Sequence, residues 1–137
     1  MLLLLLMMLM CCCRDIASSE VLDLSDLSWT VRGGDNESIW ADARLPGSVY
    51  TDLQTAGILG SLYYRFNDVE YRWVSQHNWT YSTLISLSQA QLQSRLIQLD
   101  CHGLDTVATI LINDQEVAST NNMFVRFTER TNTLQSS

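Results

Sequence analysis

Short segments in which apolar and polar residues alternate recur between residues 28 and 127, and turn residues separate them. Alternation with a period of two is typical of strands that bury one face. The pattern predicts strands over residues 28–32, 70–74, 79–87, 97–102, 106–112, 115–118 and 123–127. Short strands without regularly intervening helices favour an all-β fold, and we expect an antiparallel β-sandwich.

Two local signals add detail to this pattern. Ser48 can cap a short helix in which Val49, Leu53 and Ala56 recur at helical spacing, and Gly57 can end it. Residues 113–114, Asn-Asp, are suited to a hairpin turn between two strands. We therefore expect one minor helix and at least one hairpin.

Length and charge exclude several classes of protein. The chain has 137 residues, 47% of them hydrophobic and 17% charged, which suits one domain with one core. A net charge of -7 argues against a nucleic-acid partner, because such a chain lacks the excess of positive charge that neutralises backbone phosphates. All eight basic residues are arginines, so a phosphate-binding loop with its lysine and a Schiff-base lysine are impossible within this chain.

The amino terminus has the features of a secretory signal peptide. Residues 2–13 are an uninterrupted apolar run, and small residues follow at positions 17–19. The run is too short to cross a bilayer as a helix, which takes about 20 residues. We expect a signal peptide over residues 1–19 and no stable membrane anchor, although a buried helix or a short anchor would share the pattern. A β-sandwich domain over residues 20–127 and a polar, disordered tail over residues 128–137 would follow.

Cysteine and histidine usage gives no metal or cofactor site. Three of the four cysteines, at positions 11–13, lie inside the expected signal peptide. The remaining Cys101 could be a buried thiol, the partner of a cysteine elsewhere, or a nucleophile. His77 and His102 are too few for a zinc site, so we expect no metal and no cofactor.

The expected secretory route would expose two sequons to N-glycosylation. Asn36-Glu37-Ser38 and Asn78-Trp79-Thr80 both satisfy the rule for N-glycosylation, and we predict glycans at Asn36 and Asn78.

The aromatic residues allow two interpretations. Tryptophan and tyrosine rings at strand spacing usually fill a sandwich core, but they can also stack on sugar rings. If Trp40, Trp73 or Trp79 were exposed, the chain could be a secreted, non-catalytic carbohydrate-binding module. The acidic residues form no tight local motif, so we predict no catalytic residue.

A series of short motifs runs through most of the chain from residue 29 to residue 127. The motifs are LPGSVYTDL (45–53), AGI (56–58), YYRFND (63–68), YRWV (71–74), NWTYS (78–82), GLDTV (103–107), IN (112–113) and NMF (122–124). In their order and spacing they resemble the amino-terminal domain of the animal lysosomal β-mannosidases of glycoside hydrolase family 2.

The resemblance implies a jelly-roll, galactose-binding-like sandwich that packs beside immunoglobulin-like domains and a (β/α)₈ barrel. In that family the barrel removes terminal non-reducing β-mannose from glycoprotein-derived oligosaccharides, using two glutamates that lie beyond the last residue here. The expectation is therefore an incomplete sandwich from a lysosomal enzyme, without turnover of its own. Its partners would be the oligosaccharide substrate of the longer enzyme and the carboxyl-terminal domains of that enzyme.

Overall fold

The computed structural model describes residues 20–34, 38–93 and 96–131. The chain divides into two compact units, Met1–Leu84 and Ile85–Ser137. The predicted signal peptide over residues 1–19 lies outside the described residues, and so does the sequon residue Asn36.

Most of the regular secondary structure in the described part of the chain is strand, with four short helices and a 3₁₀ turn at Leu24–Asp26. The strands are β1 (Trp29–Gly33), β2 (Trp40–Ala43), β3 (Trp79–Ser82), β4 (Ile97–Cys101), β5 (Ala108–Ile112), β6 (Gln115–Thr120) and β7 (Phe127–Thr131). The helices are α1 (Val49–Thr55), α2 (Asn67–Glu70), α3 (Trp73–Gln76) and α4 (Gln89–Leu92). Every strand pair is antiparallel, which confirms the predicted all-β, antiparallel class.

The first unit is built on a three-stranded sheet in the order β2-β1-β3. Val31 lies opposite Ala41 on one side and Tyr81 on the other, while Arg32 lies opposite Trp40. Because successive side chains point to opposite faces, the Val31 row enters the core and the Arg32 row remains outside.

Helices and loops cover the inner face of this sheet. The core consists of Val31, Ala41, Leu53, Leu59 and Val74, which come from two strands, two helices and the loop after α1. Burying one side chain of this size contributes about 1.5–3 kcal/mol. A core this small depends on each of its members.

Helix α1 begins and ends where the sequence predicts. Ser48 and Thr51 form a capping box at its start, in which the Ser48 hydroxyl accepts from the Thr51 backbone N–H. After the C-cap residue Ala56, Gly57 adopts φ 74°, a left-handed conformation that glycine reaches without strain.

The carboxylate of Asp52 is buried between three segments of this unit. It is 5% exposed. Its Oδ2 accepts from the Tyr81 hydroxyl at 3.0 Å, and its Oδ1 accepts from the Arg44 backbone N–H at 3.3 Å. Helix α1 is thereby joined to β3 and to the chain after β2. Burial, and then the hydrogen bond to Asp52, raise the pKa of Tyr81.

The predicted strand over residues 70–74 is wrong, because this segment contains the end of α2 and the start of α3. Aromatic residues suggested a strand there, but the backbone bonds are local: Tyr71 N–H donates to Asn67 O and Val74 N–H donates to Tyr71 O. Val74 lies in the core, and Tyr71, three residues before it, packs against the core. Helical spacing explains their burial.

The predicted strand over residues 79–87 is too long. β3 ends at Ser82, opposite Thr30, and the segment after it lacks regular structure. The next side chain turns back, since Thr83 Oγ1 donates to the Ser28 carbonyl at 2.8 Å. Without a partner strand beyond Ser82, alternation alone does not extend the sheet.

The second unit contains two antiparallel pairs, β4-β7 and β5-β6. In β4 the side chains Ile97, Leu99 and Cys101 are half-buried and the residues between them exposed, which confirms the predicted faces. Asn113 and Asp114 connect β5 to β6 with φ of 50° and 61°, as expected for a tight hairpin. The predicted hairpin is confirmed.

The boundary expected at residue 127 falls inside the second unit's last strand. Strand β7, Phe127–Thr131, pairs with β4. The strand predicted over residues 123–127 therefore begins later than expected. The predicted disorder is wrong for residues 128–131. Polar composition was the reason for that prediction, but Thr128 and Arg130 lie on an exposed face and contact Asp100 and Gln98. Residues 132–137 lie outside the described residues.

Replacing Asp52 with alanine should lower the free energy of unfolding by about 1–3 kcal/mol, because the Tyr81 hydroxyl and the Arg44 N–H lose their acceptor. Urea denaturation of the full chain measures this difference. The control is Asp42→Ala, at an exposed position on β2, which should stay within about 0.5 kcal/mol of the parent chain. Equal stability of the two variants would contradict the role assigned to Asp52.

Alkaline pH should destabilise the first unit through Tyr81. Its folded-state pKa is raised, so the neutral phenol contributes stability below the ordinary tyrosine pKa of about 10, and this contribution is lost as the pH rises further. As the pH is raised above about 10, the urea midpoint of unfolding should fall less steeply for Tyr81→Phe than for the unchanged chain. Tyr63→Phe removes a phenol that is 99% exposed and should keep the full slope. Identical slopes in both variants would disprove the assignment.

Candidate functional site

The outward face of the three-stranded sheet carries six exposed side chains, and we call it the outer sheet face. Its members are Thr30, Arg32, Trp40, Asp42, Thr80 and Ser82. They form two rows across the strands, one of Trp40, Arg32 and Thr80, and one of Asp42, Thr30 and Ser82. In the second row the hydroxyls of Thr30 and Ser82 are 3.0 Å apart and hydrogen bonded.

Of the three tryptophans considered for sugar binding, Trp40 is the exposed one, at 58%. Trp73 and Trp79 are half-buried against the core, with ring centroids 6.1 Å apart. Trp79 lies opposite the buried Gly33, so it occupies the other face of the sheet from Trp40. Its indole N–H donates to the Val74 carbonyl at 2.8 Å, which uses its polar group inside the unit. The aromatic segment is therefore mainly core.

The sequon residue Asn78 is exposed and lies immediately before β3. Its carbonyl accepts from the Gly34 backbone N–H at 2.8 Å, which extends the β1-β3 pairing by one row. A Cβ at Gly34 would lie 3.3 Å from the Cβ of Asn78 and 3.2 Å from its carbonyl oxygen. Glycine is thus the residue that fits beside Asn78. The following Trp79 packs toward the core and leaves the Asn78 side chain accessible.

A cleft of ≈ 420 Å³ lies beside the start of α1 and α2. It is lined by Ser48, Tyr50, Thr51, Leu62, Tyr63, Asn67, Asp68 and Tyr71. Much of its polar surface is occupied: Ser48 and Thr51 bond each other, and the Tyr71 hydroxyl accepts from the Gly60 N–H at 2.9 Å. Sequence reasoning did not identify this cleft, because its lining residues come from separate segments that only the fold brings together.

The described lining of the cleft does not contain the pair of carboxylates that glycoside hydrolysis commonly uses. Among the described residues that line it, Asp68 is the one that carries a carboxylate. Both retaining and inverting mechanisms commonly require a pair of carboxyl groups across the scissile bond. The tyrosines and the acidic group could contact a sugar, but the arrangement lacks an acid and nucleophile pair.

The second unit carries a cluster of charged and polar groups on the exposed side of β4. Arg126 Nε donates to Asp100 Oδ1 at 2.7 Å, and the Thr128 hydroxyl donates to the same oxygen at 3.2 Å. The hydrogen bond from Arg126 chiefly holds the pKa of Asp100 below its ordinary range. His102 Nε2 lies 3.3 Å from an Arg126 nitrogen. Asp100 is thus kept ionised by a neighbouring cation, which suits a structural contact and disfavours a role as general acid.

Cys101 is a half-buried free thiol among the described residues. Partial burial, and then the negative charge of Asp100, raise the pKa of this thiol. A raised pKa reduces the thiolate fraction, so the environment favours the buried-thiol interpretation over the nucleophile.

Within residues 20–34, 38–93 and 96–131, no group of three His, Cys, Asp or Glu side chains is placed to hold a metal ion. The helices in these ranges are also too short or too polar to cross a bilayer.

Comparisons with known proteins identify the fold. The family described as glycosyl hydrolase 2 galactose-binding domain-like matches residues 29–135. The β-mannosidase of Rattus norvegicus is 43% identical over 100 residues, which are 73% of this chain and 11% of the rat protein. β-Mannosidase A of Emericella nidulans is 33% identical over 112 residues, 80% of this chain and 12% of the fungal protein. This chain therefore spans about a ninth of the length of these curated relatives.

A solved structure, the β-D-mannosidase of Dictyoglomus thermophilum, matches with a TM-score of 0.79 and 26% identity, over 86% of this chain and 14% of that chain. The resemblance inferred from the motifs is confirmed, and so is the galactose-binding-like β-sandwich class. The chain belongs to the glycosyl hydrolase 2 galactose-binding domain-like family.

Proposed function

We propose that this chain is the amino-terminal domain of a β-mannosidase that removes terminal non-reducing β-D-mannose from glycoprotein-derived oligosaccharides. The observation that carries the proposal is the 43% identity to the rat β-mannosidase over 73% of this chain. The fold match to a bacterial β-D-mannosidase supports the same activity class.

In this proposal the domain takes no direct part in bond cleavage. Its buried carboxylate, Asp52, accepts hydrogen bonds from the Tyr81 hydroxyl and the Arg44 backbone N–H, and the exposed carboxylate of Asp100 accepts one from Arg126. The cleft contributes Asp68 alone among its described lining residues. A retaining glycosidase needs two cooperating carboxyl groups, and we assign these to a separate catalytic domain.

The first unit offers a surface suited to packing against other domains of such an enzyme. Residues 63–69 expose Tyr63, Tyr64, Phe66 and Val69, of which Phe66 is 76% exposed. Adjacent exposed apolar side chains of this size are typical of an interface. We assign this aromatic segment to contact with the carboxyl-terminal domains.

The proposal also includes a route and a modification. An enzyme that degrades glycoprotein oligosaccharides in the lysosome would enter the secretory pathway through a signal peptide at residues 1–19. Asn36 and Asn78 would then receive glycans during synthesis. The exposure of Asn78 supports its modification.

The alternative is a secreted carbohydrate-binding module without an attached enzyme. The observation in its favour is the exposed indole of Trp40. It is less well supported, because Trp73 and Trp79 pack against the core and none of the described residues that line the cleft belongs to the outer sheet face.

A chimera tests the proposed function. The 100 aligned residues of the rat β-mannosidase are replaced with those of this chain, and hydrolysis of an aryl β-mannoside at acid pH is measured. We expect activity to be retained, because the domain would support the same catalytic domain. Loss of activity in a chimera that is secreted normally would contradict the proposal.

Two controls accompany the chimera. Phe66→Asp within it should lower secretion or activity severalfold by placing a charge in the aromatic segment, whereas Asp42→Ala should not. The present chain alone should release no product above a heat-treated sample. Hydrolysis by the chain alone would show that these residues contain an acid and a nucleophile.

Glycan occupancy is tested by expression of the full chain in cultured animal cells. Asn78→Gln and Asn36→Gln should each increase the electrophoretic mobility by one step, and the double variant should no longer respond to a peptide N-glycosidase. Thr80→Ala, which destroys the second sequon and keeps Asn78, should match Asn78→Gln. An unchanged mobility of Asn78→Gln would show that Asn78 is not modified.

A further inference from the structure

Trp40 is the one aromatic side chain among the six described members of the outer sheet face. Its large indole is 58% exposed, while the other five members of the face are polar or charged. Arg32 lies directly opposite it on β1 and Thr80 lies opposite Arg32 on β3. The face thus presents an apolar ring bordered by hydrogen-bonding groups, an arrangement with which aromatic side chains bind amphipathic ligands.

The sequon residue Asn78 projects from this same face. It precedes Thr80 by two residues, and alternate residues of a strand share a face. The bond from Gly34 N–H to Asn78 O shows that the pairing continues to this row, and the exposed position of Asn78 agrees with it. The Trp79 side chain between them points to the core.

The path between Asn78 and Trp40 crosses a glycine. Trp40 lies on β2, two strands away from β3, and in the row of Thr80, two residues after Asn78. With ordinary strand spacing and rise, the backbone positions of Asn78 and Trp40 are about 12 Å apart. Gly34 is the β1 residue opposite Asn78, so no side chain rises from the sheet immediately beside the attachment point. The first sugar residues of an N-linked glycan are long enough to cross this distance.

We propose that an N-linked glycan on Asn78 lies back across Gly34 and covers the indole ring of Trp40. The inference rests on the proposed glycosylation of Asn78. The β-linked N-acetylglucosamine residues at the base of the glycan carry equatorial substituents, which leaves the C–H groups of the sugar ring free to contact an aromatic face. Sugar hydroxyls lie within the same region as the Arg32 guanidinium and the Thr80 hydroxyl, which are able to bond them.

Covalent attachment favours the chain's own glycan over a protein partner as the occupant of this face. A single sugar–aromatic contact is weak, but tethering to Asn78 gives the glycan a high effective concentration at Trp40. A bulky, solvated glycan on the same face also opposes burial of that face against another domain. The aromatic segment at residues 63–69 remains the surface for protein contact.

The test measures oxidation of individual tryptophans by hydroxyl-radical footprinting of the secreted full chain. In the native protein, removal of glycans by a peptide N-glycosidase should increase oxidation of Trp40 severalfold and leave the half-buried Trp79 unchanged. Asn78→Gln should show the same increase without enzyme treatment. Asn36→Gln, which removes the other sequon, should keep Trp40 protected.

A second readout separates contact from general stabilisation. Deglycosylation should lower the Tm of the parent chain, and Trp40→Ala should reduce this shift, because the glycan has lost its contact. Mass analysis of the Asn78 peptide reports occupancy in each sample. Equal oxidation of Trp40 with and without an occupied Asn78, or a Tm shift unaffected by Trp40→Ala, would overturn the inference and leave the glycosylation intact. An unmodified Asn78 would overturn both the glycosylation of Asn78 and its contact with Trp40. The β-mannosidase assignment would be unaffected, because the chimera tests it separately.

Discussion

The first unit depends on a buried carboxylate. Asp52 brings together helix α1, the chain after β2 and strand β3 through the Arg44 N–H and the Tyr81 hydroxyl. A buried polar group is tolerated when it is hydrogen bonded, and here both carboxylate oxygens accept a hydrogen bond. Because the apolar core is small, a polar contact of this kind specifies how α1 lies on the sheet. Leu53, the next residue, then enters the core.

The position of α1 determines which surfaces remain available. With α1 and α3 over the inner face, Trp73 and Trp79 become part of the packing, and Trp40 remains exposed on the outer sheet face. The exposed aromatic segment between α1 and α3 forms a separate surface with different chemistry. The first unit thus presents a mostly polar sheet face and a separate segment of exposed aromatic residues, and exposed apolar patches of the latter kind are typical of interfaces.

Much of the fold could be predicted, but the site could be predicted only in part. The strands near residues 28–32 and 97–102, the hairpin at Asn113 and the cap at Ser48 follow from local patterns, since their causes lie within a few residues. Residues 70–74 were assigned to a strand because aromatic residues are common in strands, yet local backbone bonding made helices. The strand predicted over residues 123–127 instead spans residues 127–131, because its pairing with β4 is a long-range contact that composition does not report. The tyrosine-lined cleft was missed for the same reason.

The sequence by itself determined the strand-rich class, the absence of lysine chemistry, both sequons and the motifs that placed the chain in its family. These are properties of composition and of residues close together in the chain. The tertiary structure decided which face of the sheet each side chain occupies, and therefore that Trp79 packs against the core and that Trp40, on the other face, is exposed. Register is set by pairing between distant strands, and a shift of one residue would exchange the two faces.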